Sequence, residues 1–208
     1  MIQVNIISYG YAHLVAQAIE SVLSQTKKPE RILVVDDGKH DGVENIAKRY
    51  PVEVLIREKN LGIVDNFQDV LMNHTFSDKV MFLGADNWLR PDALEKMDTG
   101  TDIISSDIAL FGEDTDKFRN GLKTEYKDGF YIWRFEKGNI ETGNYIHGSS
   151  LYDVKKAKEA GGYKRNEQSK NTEEDWMLFR EMMRREAVHS HVPEPLLFYR
   201  RHKENFNA

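Results

Sequence analysis

Four short apolar runs, each stopping at polar residues and the first three followed by helix-like sequence, fill the first part of the chain and confine it to an α/β sheet fold. The most constraining is Ile32-Leu33-Val34-Val35, which shows no alternation of polar and apolar residues and ends at Asp36-Asp37-Gly38. A strand of that kind must be covered on both faces, as inner strands of parallel sheets are. Val4 to Ile7 reads as the strand before it, Val52 to Ile56 and Val80 to Leu83 as the strands after it. Between them, Leu14, Val15, Ala18, Ile19, Val22 and Leu23 recur at helical spacing, which predicts a helix over His13 to Gln25. Glu44 to Tyr50 reads as a short helix, and Ile63, Phe67, Val70 and Leu71 mark another. Alternation of this sort builds βαβ units around a mostly parallel central sheet flanked by helices.

After Pro91 the regularity fades. Gly112 to Gly143 mixes charges, glycines and aromatics and reads as short strands and loops; a Gly161-Gly162 turn and a polar loop from Lys164 to Asn171 follow. A helix from about Thr172 to Glu186 and an apolar Pro193 to Tyr199 segment end the pattern. At 208 residues, without an internal repeat or linker, the chain fits a single domain.

Several function classes drop out. There is no cysteine, hence no disulfide framework, thiolate metal site or thiol nucleophile, and a reducing compartment such as the cytoplasm is the expectation. A net charge of −5 without a basic stripe argues against nucleic acid as a partner. The N-terminal Met1 to Ile7 lacks the basic region of a signal peptide, and no run approaches the roughly 20 apolar residues of a membrane span. Neither a P-loop nor a G-x-G-x-x-G turn is present.

In open α/β sheets ligands bind beyond the carboxyl ends of the strands. Those ends carry Ser8-Tyr9, Asp36-Asp37, Arg57 and Gly84-Ala85-Asp86-Asn87. Such a ring suits a sugar nucleotide, whose base and ribose donate hydrogen bonds. Without a glycine cradle, its diphosphate would be neutralised by a divalent metal and basic side chains. Acidic turns after strands also cap helices, so each motif taken singly has that second reading.

Val34-Val35-Asp36-Asp37-Gly38, Ser21 to Thr26 before it, Asn60-Leu61-Gly62, Glu174-Asp175 and the terminal Tyr199-Arg200-Arg201-His202 occur in an order that resembles family 2 glycosyltransferases of the GT-A fold. Asn66-Phe67 and Pro91-Asp92 are similar to the bacterial rhamnosyl-type members. The resemblance implies an inverting sugar transfer from a UDP-, dTDP- or GDP-sugar to a glycan or lipid-linked glycan acceptor, in bacterial polysaccharide or glycoconjugate synthesis. It implies a donor-binding half over residues 1–98 and an acceptor and catalytic half over 99–208, and a cytoplasmic enzyme, either soluble or peripheral at the inner face of the membrane. Ser8, Tyr9, Asp36, Asp37, Arg57, Asn60, Gly62, Asp86 and Arg200 would bind the nucleotide sugar; Asp86 and His202 would hold Mn2+ or Mg2+.

Asp86 matches the second acid of the family's D-x-D motif, and Gly84 stands where the first would be, which removes one oxygen ligand. By the same resemblance Asp175 is the general base with Glu174 beside it, while His147, Gly148 and Trp176 lie on the acceptor side. The acids have a second reading as residues favoured at a helix N-terminus, capped by Thr172 or Asn171, and Trp176 a second reading as core. The polar loop Lys164 to Asn171 is expected to act as a lid over the donor, and the basic Arg200 to Lys203 stretch to lie over the diphosphate. Two alternatives stay open: a nucleotide-sugar-binding module without catalysis, which Gly84 makes plausible, and a nucleotidyltransferase, although Ser8 to Tyr11 does not resemble the basic glycine-rich loop that chemistry uses.

Overall fold

The apolar runs become neighbours in one sheet. The computed structural model describes residues 1–113, 115, 123–169 and 172–202; Lys203 of the basic stretch and Lys170 and Asn171 of the expected lid lie outside them. Strands β1 (Ile2–Ser8), β2 (Arg31–Asp36), β3 (Glu53–Ile56) and β4 (Lys79–Gly84) alternate with helices α1 (Ala12–Leu23), α2 (Val43–Ala47) and α3 (Ile63–His74). β5 (Trp88–Leu89), α4 (Ala93–Met97) and β6 (Ile103–Gly112) follow, then the hairpin β7 (Thr124–Lys127) and β8 (Phe130–Trp133). β9 (Leu151–Asp153), α5 (Val154–Glu159), α6 (Glu174–Arg184) and β10 (His189–Arg201) complete the order.

Among the described residues the strands form one ten-stranded sheet in the order β3-β2-β1-β4-β9-β6-β10-β5, with β8 also on β6 and β7 on β8. β1 to β4 run parallel; β9, antiparallel to both β4 and β6, joins them to the parallel pair β6 and β10. Helices cover both faces, as the uninterrupted apolar strands demand. On one face Val15, Ala18, Ile19 and Val22 of α1 pack with Val4, Ile6 and Val34. On the other Val70 and Leu71 of α3, Ala157 of α5 and Leu178, Phe179 and Met182 of α6 pack with Val35, Phe82 and Tyr152. No helix among the described residues is long and apolar enough to cross a membrane.

β6 departs from the expectation of irregular sequence after Pro91. Its apolar run is broken by Ser105, Ser106 and Asp107, all buried; histidines of β10 answer the outer two, with Ser105 Oγ 2.8 Å from His189 Nε2 and 2.9 Å from His191 Nδ1 and His191 Nε2 2.9 Å from Asp107, while Ser106 Oγ donates to the Asp107 carbonyl at 3.0 Å. β10 also slips against β6, with two surplus residues between Val192 and Pro195 and one between Pro195 and Leu197.

Candidate active site

β2 and β3 lie to one side of β1 and β4 to the other, so the strand order reverses at β1, the place where open α/β sheets bind ligands. Ser8 ends β1 fully buried, and its Oγ has no hydrogen-bond partner among the described residues. Beside it Asp36, the last residue of β2, and Asp37 after it hold loops in place. Asp36 accepts the amides of Lys39 (3.0 Å) and His40 (3.1 Å), and Asp37 those of Leu61 (3.0 Å) and Gly62 (3.2 Å). Burial lifts Asp37 above the usual carboxylate range against the pull of those amides. The two loops touch at Gly38, whose φ is +76° and where a Cβ would stand 2.3 Å from the Lys59 carbonyl carbon.

The other residues expected at the donor are partly committed to the framework. Arg57 pairs with Asp69 and donates to Asn66 (3.2 Å), both on α3. Asn60 closes a turn by accepting the Gly62 amide at 2.6 Å. Tyr9 stays about half exposed, with the Lys39 ammonium 5.3 Å from its ring centre.

A cleft of about 460 Å3 opens over the carboxyl end of β4 and is lined by Tyr11, Asp86, His147, Gly148, Glu174 and Asp175, among others. Acids from the two halves of the sequence thus face one hollow. Asp86 is buried, which raises its proton affinity, while His202 pulls the other way with Nε2 3.3 Å from Oδ2. Gly84 leaves the space this carboxylate uses, for a Cβ there would lie 2.6 Å from Asp86 Oδ1. No group of three His, Cys, Asp or Glu side chains suited to a metal occurs among the described residues. One carboxylate and one imidazole that converge at a cleft edge do fit a divalent cation of the kind that takes its remaining oxygens from substrate phosphates.

The guanidinium of Arg200, expected on the diphosphate, is held in place by the framework. Nε donates to the Asp86 carbonyl (3.2 Å), Nη2 to Gln17 on α1 (2.8 Å), and the group lies over the rings of Phe111 and Trp88. It borders a neighbouring recess of about 360 Å3 with His13, Arg201 and His202.

Across the cleft, Asp175 accepts the Trp176 amide at 2.7 Å and Asn144 Nδ2 at 3.3 Å through one oxygen, Oδ1. Burial and then the adjacent Glu174 push it up to about 7. Glu174 accepts the Thr172 hydroxyl, and no side chain caps α6, whose preceding residue Glu173 sits in the left-handed region at φ 47°. The capping reading for Thr172 therefore fails; its hydroxyl is spent on the Glu174 side chain.

His147 accepts the Ser106 amide at Nε2 (3.3 Å) and is pushed down to about 3 by burial, with His191 and His189 adding to it, so it stays neutral. Trp176 does not line the cleft: its indole donates to the Ile140 carbonyl at 2.7 Å and supports Arg180, as a core residue would. Asn144, which does line it, went unread because one asparagine in an aperiodic stretch carries no signal.

A family model described as "Glycosyl transferase family 2" matches residues 4–161. The "Putative glycosyltransferase EpsH" of Bacillus subtilis (strain 168) is 25% identical over 210 residues, 93% of this chain and 59% of the relative. An "Uncharacterized glycosyltransferase alr2836" of Nostoc is 30% identical over 100 residues, 46% of this chain and 31% of its own length. Among solved structures, S. aureus TarS 1-349 in complex with UDP-GlcNAc superposes with a TM-score of 0.72 at 15% identity, over 98% of this chain and 59% of that one. The mannosyltransferase PcManGT of Pyrobaculum calidifontis, in complex with GDP-Man and Mn2+, gives 0.67 at 14%, over 99% and 58%. The fold is thus the GT-A type, and the chain spans about three fifths of the length of EpsH and of these two structures.

Proposed function

This chain belongs to glycosyl transferase family 2, and from that premise we propose that it transfers a sugar, with inversion, from a nucleoside diphosphate donor to a hydroxyl acceptor. The observation that carries the reading is that Asp86 and Asp175 line the same cleft. Direct displacement at an anomeric carbon needs a cationic environment for the departing diphosphate on one face and a base for the attacking hydroxyl on the other.

Ser8, Tyr9, Asp36, Asp37 and the Asn60 to Gly62 turn bind the nucleoside in this reading. Asp86 and His202 would hold a divalent cation, Mn2+ or Mg2+, which when bound supplies charge neutralisation at the diphosphate. Asp175 takes the proton of the acceptor hydroxyl; a value of about 7 leaves much of it ionised at neutral pH and basic enough to accept a proton. The neutral His147 stands in the same cleft as a polar wall without acid-base work. The donor is a UDP- or GDP-sugar by analogy with the ligands of the TarS and PcManGT structures, and the acceptor a glycan or lipid-linked glycan at the inner face of the membrane.

The test is a panel of nucleotide sugars with and without Mn2+, scored for thermal shift and for released nucleoside diphosphate. Transfer is expected for at least one donor, with Asp175→Asn lowering kcat by about 10²–10⁴ at nearly unchanged donor affinity. Binding without release would instead identify a module without catalysis, and release of pyrophosphate a nucleotidyltransferase.

A further inference from the structure

Glu174 and Asp175 stand side by side at the start of α6, and their surroundings separate the individual oxygens of Asp175. Oδ1 is doubly engaged, by the Trp176 amide and by Asn144 Nδ2. Oδ2 faces bare backbone: a Cβ added to Gly148 would lie 3.3 Å from it. Asn144 is itself held, since its Oδ1 accepts the amide of the fully buried Ile146 at 3.1 Å. Asn144, Gly148 and Asp175 all line the cleft, so the carboxylate is gripped on one oxygen and open on the other.

We propose that Asn144 is a positioning residue which, with the Trp176 amide, fixes Oδ1 of Asp175 so that Oδ2 receives the acceptor's proton across Gly148. This rests on the base reading above. The acceptor O–H bond breaks, its proton passes to Oδ2, and its electron pair forms the new bond to the anomeric carbon as the bond to the diphosphate oxygen breaks. After the product leaves, the carboxylic acid returns the proton to water.

Three further groups bear on the same carboxylate. Glu174 repels its negative charge from the neighbouring position, and the phenols of Tyr163 and Tyr199 lie within reach of that charge, which holds their own protons more tightly. Against these, Asn144 provides the side-chain hydrogen bond that favours the ionised form. A methyl group at position 148 would crowd the path to Oδ2 without touching the donor loops.

Aspartate-labelled protein followed by 13C NMR reads this without a substrate, the Asp175 carboxyl being assigned by its loss in Asp175→Asn. The wild type is expected to titrate near 7. Asn144→Ala should move the midpoint to higher pH, and Asn144→Asp further, because a carboxylate then replaces a donor. With a donor that passes the panel, the acid limb of kcat/KM should move in parallel while donor KM holds, and Gly148→Ala should lower kcat at least about 10-fold with donor KM again unchanged. Asn144 is exposed, so its variants are expected to fold. An unmoved midpoint in both Asn144 variants overturns the positioning role. A midpoint that moves while the acid limb stays still, or an Asp175→Asn enzyme with full turnover, overturns the base reading instead.

Discussion

Burial, with Glu174 alongside, lifts Asp175 to about 7, and the lift acts in opposite directions on folding and on turnover. A carboxyl whose folded value stands above its unfolded one contributes stability below the ordinary carboxylate range, and loses it as pH rises through the folded value. Asp175→Asn cannot ionise and keeps the oxygen that accepts from Trp176 and Asn144. It is therefore expected to melt higher than the wild type at about pH 8 and alongside it at about pH 4. A gap of roughly 2–4 °C corresponds to 1 kcal/mol in a chain of this size. Turnover runs the other way: the ionised form is the base, so kcat/KM should rise with pH to a plateau above about 7. Melting curves at the two pH values and a pH-rate profile check the pair. His147, held neutral down to about 3, should leave no mark on that profile, and His147→Gln is expected to keep the acid limb where it is.

At the level of elements, the donor side depends on how closely two loops approach. At Gly38 a side chain would be strained by the positive φ and would meet the backbone of Lys59 and Asn60. Gly38→Ala is expected to cost about 2 kcal/mol or more. It should also push the Asn60 to Gly62 turn off Asp37, weakening nucleotide binding together with stability, as calorimetry on the variant would read. β1 to β4 of this half were legible in the sequence because each is a continuous apolar run closed by a polar turn, whereas β5 is two residues long. β6 was not legible, since Ser105 and Asp107 find their partners on β10, more than 80 residues away. β9, of three residues, and α5, of six, are too short to carry a period. Asp86 and Asp175 were both legible as motif positions, and they line one cleft. The staple made by Arg200 was not, because it depends on Gln17 and on two aromatic rings brought in by other strands.

For the molecule as a whole, the two halves share their cores. β9 hydrogen-bonds to β4 on one side and β6 on the other, and Val80, Phe82, Tyr152 and Phe179 belong to one apolar cluster. Residues 1–98 alone would leave that cluster open, so a single cooperative transition is expected in calorimetry, and two resolved transitions would contradict the shared core. The slips in β10 bear on what this architecture tolerates. Before them, odd-numbered residues such as His191 sit on the side of Ser105; after them, odd-numbered Leu197 and Tyr199 sit opposite Ile108 and Leu110, on the other side of the sheet. Three surplus residues, an odd number, reverse the strand's parity. Each later side chain takes the side of its β6 partner, so the bulge takes up changes of length between Val192 and Leu197 as long as Leu197 keeps Ile108, whereas a slip of the β10 end by one residue along β6 would turn Tyr199 away from the substrate hollow and Arg200 toward it.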